Sequence, residues 1–235
     1  MNKSKIEWAD LTWNPITGCL HGREYCYARK IAQRFAPRLE NGTIAESGKL
    51  HDVGNTNIPF SFGFDPTIYR NRLDEPLKKT KPSKIFVCSM ADLFGEWVPD
   101  EWIWEVFNVA MESNHKYLFL TKNPKRYDKA VDYFCGEERG SEPEHWNNFW
   151  FGTTITCQAD TERIKPLTSF SEGHKFLSIE PLMEEVKLDL SEYICPKCGS
   201  YEVYRDRFGN LPPYFCDDCG EWEGYKPKPA IEWNI

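Results

Sequence analysis

The chain has 235 residues, 40% of them hydrophobic and 15% aromatic, enough apolar side chain for one full domain with a small appendage and too much for a disordered tail. Its longest apolar runs, such as Ile85-Phe86-Val87 and Tyr117-Leu118-Phe119-Leu120, fall far short of the roughly 20 residues that a membrane helix needs, and mean hydropathy is -0.61, so no membrane partner is expected. A net charge of -7 argues against a general electrostatic grip on nucleic acid while leaving room for a local basic patch.

In chain order, the first eight residues lack the apolar stretch and small-residue cleavage site of a signal peptide, which places the protein in the cytoplasm as an expectation. Residues 39–63 are rich in Gly, Asn and Ser with little periodicity and read as a long loop or lid. Four near-continuous apolar runs then follow, at 84–89, 117–121, 149–154 and 175–180, each predicting a buried parallel strand. Between them, Pro99-Asp100-Glu101 opens a helix to about Ser113, Asn123-Pro124 opens one through Val131, and Asp160 is placed to cap one through Leu167. Strand and helix alternate, which predicts an α/β fold with a parallel barrel or open sheet. In such folds ligands gather at the C-terminal ends of the strands, where Ser89, Asp92, Thr121, Lys122, Thr154 and Glu180 stand. Any one of these also serves as an ordinary helix cap or loop hydrogen-bonder; together they mark a candidate rim.

The alternation breaks over 191–229 and resumes as a strand at 230–235. The expected organisation is therefore an α/β core over 1–190, an insertion over 191–229, and a returning strand. The insertion holds Cys195-Pro196-Lys197-Cys198 and Cys216-Asp217-Asp218-Cys219, two CxxC knuckles 17 residues apart, each followed by a glycine. Each knuckle sets two thiolates on one side of a tight turn, and two knuckles close a four-sulfur zinc site, so Cys195, Cys198, Cys216 and Cys219 predict a structural zinc ribbon, with a rubredoxin-like iron site as the lesser alternative. Nine cysteines in a chain without a secretion signal point to metal or redox chemistry before disulfides.

The sharpest pattern is Thr12-Trp13-Asn14-Pro15-Ile16-Thr17-Gly18-Cys19, closed by Cys26-Tyr27-Ala28. With SMADLF at 89–94, LTKNPKR at 120–126 and LSIEPL at 177–182, it resembles the phage-associated radical-SAM-like proteins of unknown function. The resemblance covers most of the chain. It implies a partial parallel (β/α) barrel of the radical SAM type, with a [4Fe-4S] cluster held by cysteines spaced CxxxCxxC and an open iron for S-adenosylmethionine. Residue by residue, it assigns Cys19 and Cys26 to two of the three iron ligands and Tyr27 to the aromatic position beside the last. Ser89, Asp92, Lys122 and Glu180 are placed toward cofactor or substrate, Lys122 for an anionic group and Glu180 for a ribose hydroxyl or an ammonium.

The middle position departs from the pattern, because Arg23 stands where the second cysteine belongs. Arginine stays protonated and does not replace a thiolate. His21 as ligand, a distant cysteine (Cys88, Cys135 or Cys157), or loss of the cluster are the three ways out. The chain also stops at Ile235, where the family usually continues into a glycine-rich turn, so the expectation is either a truncated gene product or a protein partner that covers the strand edge. Two functions stand against each other: an iron–sulfur protein that reductively cleaves S-adenosylmethionine to act on an unknown substrate, and a non-catalytic module whose zinc ribbon and aromatics such as Trp222 bind nucleic acid or protein. A simple hydrolase finds no nucleophile-elbow, HExxH or P-loop pattern.

Overall fold

A computed structural model describes residues 1–135, 143–170, 172–179 and 181–188, with the backbone alone at 135, 143–145 and the short strands beyond 200. The chain divides into two compact units, Met1–Lys122 and Asn123–Ile235. The fold is mixed α/β, and its main-sheet strands are mostly parallel.

In the first unit, β1 (Asn2–Lys3) pairs antiparallel with β2 (Leu11–Trp13). After β3 (Ile16–Thr17), α1 (Tyr27–Phe35), β4 (His51–Val53) and β5 (Thr67–Tyr69), the chain enters β6 (Lys84–Val87), which lies parallel to β2. Then come α2 (Asp100–Met111) and β7 (Lys116–Thr121), parallel to β6. The β6 residues Ile85, Phe86 and Val87 are all buried, as an apolar run between two covered faces must be. Helix α2 starts where Pro99 cannot continue a helix backward, carries Asp100 and Glu101 at its positive end, and buries Trp102, Ile103, Val106, Phe107 and Ala110. Phe107 stacks on Phe119 of β7 with centroids 4.8 Å apart, which clamps helix to sheet.

The long segment 39–63 reads as a loop but is not free. β4 pairs with β5, β5 pairs with β3, and the buried carboxylate of Asp65 collects the loop's donors. Helix α1 has a buried face made only of Ala28, Ala32 and, at its C-cap, Ala36. These small side chains let it sit against Phe60, Phe64 and Met90, and Cys19 and Cys26 pack on the same cluster.

The second unit holds α3 (Lys125–Cys135), β8 (Phe149–Thr154), α4 (Ile164–Leu167) and β9 (His174–Ser178), with β8 parallel to β9. The short strands β10 (Val203–Tyr204), β11 (Phe215–Cys216) and β12 (Gly220–Glu221) form a small antiparallel sheet, and β13 (Ile231–Trp233) lies parallel to β9. The helix expected from Asp160 to Leu167 is instead a 3-10 segment, Gln158–Arg163, followed by the single turn of α4. Asp160 turns back to accept from the Thr156 N–H and hydroxyl, which tightens that turn, and Pro166 offers no N–H to extend it. The strand expected over 84–89 ends at Val87, because Cys88 adopts φ +55 and turns the chain out of the sheet. Among the described residues no helix is long and apolar enough to cross a membrane.

Candidate functional site at the strand ends of the first unit

Strands β2, β6 and β7 run parallel, so their C-terminal ends, Trp13, Val87 and Thr121, share one rim. Just past β2, Asn14 accepts hydrogen bonds at Oδ1 from the Ser89 hydroxyl at 3.1 Å and the Met90 N–H at 3.0 Å. Cys88 N–H donates to the Trp13 carbonyl at 2.8 Å. These bonds hold the turn after β6 against the end of β2 and explain how Cys88 keeps a left-handed backbone that costs a non-glycine residue of order 1–3 kcal/mol. Left-handed geometry in a buried residue at a strand end is frequent at functional turns.

Asp92 is the node of the rim. It is 5% exposed and accepts four hydrogen bonds: from Thr121 Oγ1 at 2.6 Å and Phe94 N–H at 3.2 Å on one oxygen, from Lys122 N–H at 3.0 Å and His21 Nε2 at 2.8 Å on the other. Burial alone pushes its carboxyl up, but the bonds from His21, Thr121 and Lys122 outweigh it, and the group lies below the ordinary aspartate value. The ion therefore persists at neutral pH and fixes the His21 ring, whose edge also meets Trp97 with centroids 4.9 Å apart.

Cys19 and Cys26 flank this imidazole in sequence and pack on the cluster beneath α1. Burial pushes the Cys19 thiol up to about 12; the His21 backbone N–H works the other way by donating to the sulfur, while Asp92 and Cys26 add to the rise. Cys26 caps α1, its sulfur accepting from the Arg29 N–H at 3.5 Å. Both sulfurs thus receive a backbone donor, the contact that stabilises a thiolate once a cation has displaced its proton. Arg29 reaches back to the Cys19 carbonyl at 3.3 Å and lies over the Phe64 ring, which closes the loop onto the helix. Tyr27 donates its hydroxyl to the Ser89 carbonyl at 2.9 Å, which covers the phenol end of a residue that is 55% exposed as a whole. Its phenol is raised above the ordinary value, by burial first and by Cys26 second.

Gly18 makes the close approach possible. Its φ is +88°, and a Cβ there would lie 2.1 Å from the Asp65 carbonyl oxygen and 2.7 Å from that of Phe64. Its N–H donates to the Met90 carbonyl, and the Cys19 N–H to Phe64.

The structure thus brings together Cys19, Cys26, Tyr27, Ser89 and Asp92 from the sequence-derived set. Lys122 joins through its backbone N–H, and its positive charge reaches the Cys19 thiol, which it lowers slightly. Asp92 faces inward as a clamp for His21 rather than outward. Glu180 lies outside the described residues, as do Cys195, Cys198 and Cys219, with only the backbone of Cys216 in β11 described. Cys88 is buried, and burial lifts its thiol to about 12; Cys157 belongs to the second unit. Arg23 is exposed. Among the described residues, no three His, Cys, Asp or Glu side chains stand close enough together to hold a metal ion as placed. Sequence reasoning passed over Asn14 and the grip of Thr121 on Asp92. Asn14 sits in the quoted TWNP run, and its immediate position after a strand was the available signal; its partners are 75 and 76 residues away.

A family described as "Protein of unknown function (DUF5131)" matches over residues 3–235, and the chain belongs to it. No curated protein and no solved structure matches the chain.

Proposed function

We propose that this DUF5131 chain is a radical-SAM-like protein: a partial-barrel α/β scaffold whose strand-end rim takes an iron–sulfur cluster and S-adenosylmethionine, with Cys19, Cys26 and His21 as the cluster's protein ligands. What supports this reading is the clamp on His21. Asp92 holds Nε2, which leaves Nδ1 as the ring's coordinating atom, and an imidazole fixed through its other nitrogen by a carboxylate is the usual arrangement of a metal-bound histidine.

The donor set decides which centre fits. The third cysteine at this rim, Cys88, is buried in the core at 3% exposure, so an all-cysteine cluster does not fit the rim as placed. Two thiols and an oriented imidazole fit an iron–sulfur centre of mixed ligation, for which histidine in place of cysteine has precedent in iron–sulfur chemistry. Closing the three donors on one centre requires the 19–26 loop to tighten, and Gly22 at φ +66° supplies a pivot within it. When bound, a reduced cluster supplies the electron for cleaving the sulfonium of S-adenosylmethionine. The chain's own residues do the rest: Asp92 fixes His21, Thr121 and Lys122 N–H keep Asp92 ionised, and Asn14 fixes the Ser89 turn at the rim. The phage association rests on motif resemblance, and the zinc ribbon of 191–229 rests on its cysteine spacing.

Arg23 favours a second reading, in which the scaffold is a relic and the protein is a zinc-ribbon binding module. Iron, zinc and acid-labile sulfide, measured with a visible spectrum on anaerobically purified protein beside Arg23→Cys and His21→Ala, separate the two. The iron–sulfur reading expects iron and sulfide in the wild type, retention in Arg23→Cys and loss in His21→Ala. Zinc alone in the wild type, with iron gained only by Arg23→Cys, overturns it in favour of the binding module. Iron retained by His21→Ala removes His21 from the ligand set.

A further inference from the structure

Residues 22–38 carry five cations, Arg23, Arg29, Lys30, Arg34 and Arg38, against the single carboxylate of Glu24, a net charge of +4 in a chain whose total is -7. The remainder of the protein is therefore at -11, and this stretch is a basic island on an acidic molecule. Its core is α1. The helix is held down by Ala28, Ala32 and Ala36, so its opposite arc faces out. That arc is Tyr27, Lys30, Ile31, Arg34 and Phe35, spaced i, i+3, i+4, i+7 and i+8, the positions that line one face of a helix.

Three of the five are apolar and open: Tyr27 is 55%, Ile31 39% and Phe35 56% exposed. The cations and the apolar residues run as two neighbouring i, i+4 rows, Lys30 and Arg34 beside Tyr27, Ile31 and Phe35. Arg34 lies 5.4 Å over the Phe35 ring. Tyr27 is pinned through its hydroxyl to Ser89, which makes its ring a fixed platform at the rim end of the stripe. Among the described residues, Arg23, Lys30, Arg34 and Arg38 have no carboxylate within ion-pair distance, whereas Arg29 on the flank pairs with Glu46 at 3.6 Å.

We infer that the outer face of α1 binds a single-stranded nucleic acid, laid along the helix with one end at the rim that holds Cys19, His21 and Asp92. The charge pattern calls for a polyanion, and the two open rings beside it, Tyr27 and Phe35, call for one that presents flat π faces, which is the combination single strands offer and duplexes hide. The two rings, eight residues apart, are separated by a rise of about 12 Å, so they meet bases at two separate points of an extended strand. A membrane surface suits this helix poorly. A surface-lying amphipathic helix inserts a broad apolar face, whereas here the alanine face is already buried in the protein, Tyr27 is tied to the Ser89 carbonyl, and Ile31 and Phe35 alone are left to enter acyl chains. The inference does not depend on an iron–sulfur centre, and its test reads binding rather than chemistry.

Fluorescence anisotropy of the full chain with labelled 20-nucleotide single strands, RNA and DNA in separate arms, and with the matching duplex, tests it. Lys30→Gln/Arg34→Gln/Arg38→Gln is expected to weaken single-strand binding at least tenfold and to flatten the dependence of log affinity on log salt by roughly 2, at about 0.7 per phosphate contact. Phe35→Ala is expected to weaken binding about tenfold with the salt slope unchanged, the mark of lost stacking. Circular dichroism and melting of each variant should match the wild type, since every substituted side chain is exposed. Lys78→Gln/Lys79→Gln, away from α1, is the control and should change nothing. Absence of binding to either strand, equal affinity for the duplex, an equal loss in the control, or binding to vesicles or acidic peptides in place of oligonucleotides overturns the proposal.

Discussion

The first unit contains two aspartate–histidine pairs that look alike in isolation and differ in every neighbour. Asp92 meets His21 at 2.8 Å, and Asp65 meets His51 at 3.1 Å. Both carboxylates are buried, and both lie below the ordinary value because hydrogen bonds outweigh a burial effect that alone would raise them. Yet Asp65 takes its other bonds from Ser47 N–H and hydroxyl and Gly48 N–H, all from the loop it anchors, while His51 stacks flat on Phe62 with centroids 3.7 Å apart. That pair fastens a loop to β5. Asp92 takes its bonds from the end of β7 and from the Phe94 N–H, and holds a histidine that itself lies in a loop bracketed by two cysteines. The pair's own geometry does not reveal its role; the groups beyond the imidazole do.

Gly18 stands between the two, so its replacement tests whether they are structurally coupled. Gly18→Ala forces a Cβ into the Asp65 carbonyl at a left-handed backbone position. It should destabilise the protein by about 4 kcal/mol, seen as a fall in the chemical denaturation midpoint, because both clash and strain act on the same residue. If the loss is under about 1 kcal/mol, the close approach of the Cys19 segment to the 64–65 backbone is not a structural requirement.

Asp65→Asn should cost about 2–3 kcal/mol, since several donors lose a charged acceptor at a buried position. Its pH signature has a definite sign. A depressed aspartate contributes stability that is fully present above its unfolded value of about 4 and is lost as pH falls through the lower folded value. Denaturation midpoints of the wild type should therefore decline on acidification below about pH 4, and those of Asp65→Asn should decline less. Parallel curves would mean that Asp65 takes up its proton at the same pH folded and unfolded, so that its hydrogen bonds do not outweigh burial.

Asp92→Asn should cost about 2 kcal/mol, because its single amide oxygen keeps the donors of only one carboxylate oxygen, Thr121 hydroxyl and Phe94 N–H or Lys122 N–H and His21, and its NH2 faces the others. On the proposed iron–sulfur reading its larger effect falls on metal: as the residue that positions His21, its loss is expected to weaken iron retention 10- to 100-fold. Asp65→Asn should leave the iron content of folded protein unchanged. That crossover, stability for one aspartate and metal for the other, is the direct test of the contrast between them.

Much of this contrast lay beyond what the sequence could state. The strands at 84–87, 116–121, 149–154 and 174–178 were legible because a buried parallel strand writes itself as an apolar run, and α2 because Pro99-Asp100-Glu101 marks a helix start. Helix α1 was not, since its buried face is alanine and its outer face carries the large apolar residues, the reverse of the usual amphipathic pattern. Of the candidate site, Cys19, Cys26, Tyr27, Ser89 and Asp92 are legible through the motif blocks. The clamp of Asp92 on His21 spans 71 residues, and that of Asn14 on the Ser89 turn spans 75, distances over which no local pattern carries information. The segment 39–63 read as a loop because its order comes from Asp65 and from pairing with β5, both outside it.

The smallest effects should come from the two histidines, and there the comparison is sharpest. His51→Ala removes a stacked ring and one bond to Asp65, leaving Ser47 and Gly48 in place, so its cost should be about 1 kcal/mol, felt as faster hydrogen exchange or proteolysis across 39–63. His21→Ala removes an edge contact with Trp97 and one of four bonds to Asp92, and its cost should be similar or smaller. Protease sensitivity of 39–63 should stay at wild-type level in His21→Ala. Limited proteolysis of the two variants side by side, followed by iron analysis, then gives four readings with opposite expectations: a loosened loop with normal iron for His51→Ala, and a tight loop without iron for His21→Ala. A loosened 39–63 segment in both would mean that the rim and the loop form one cooperative unit joined through Gly18, and the two pairs would have to be read as a single structural device rather than as a fastener and a ligand holder.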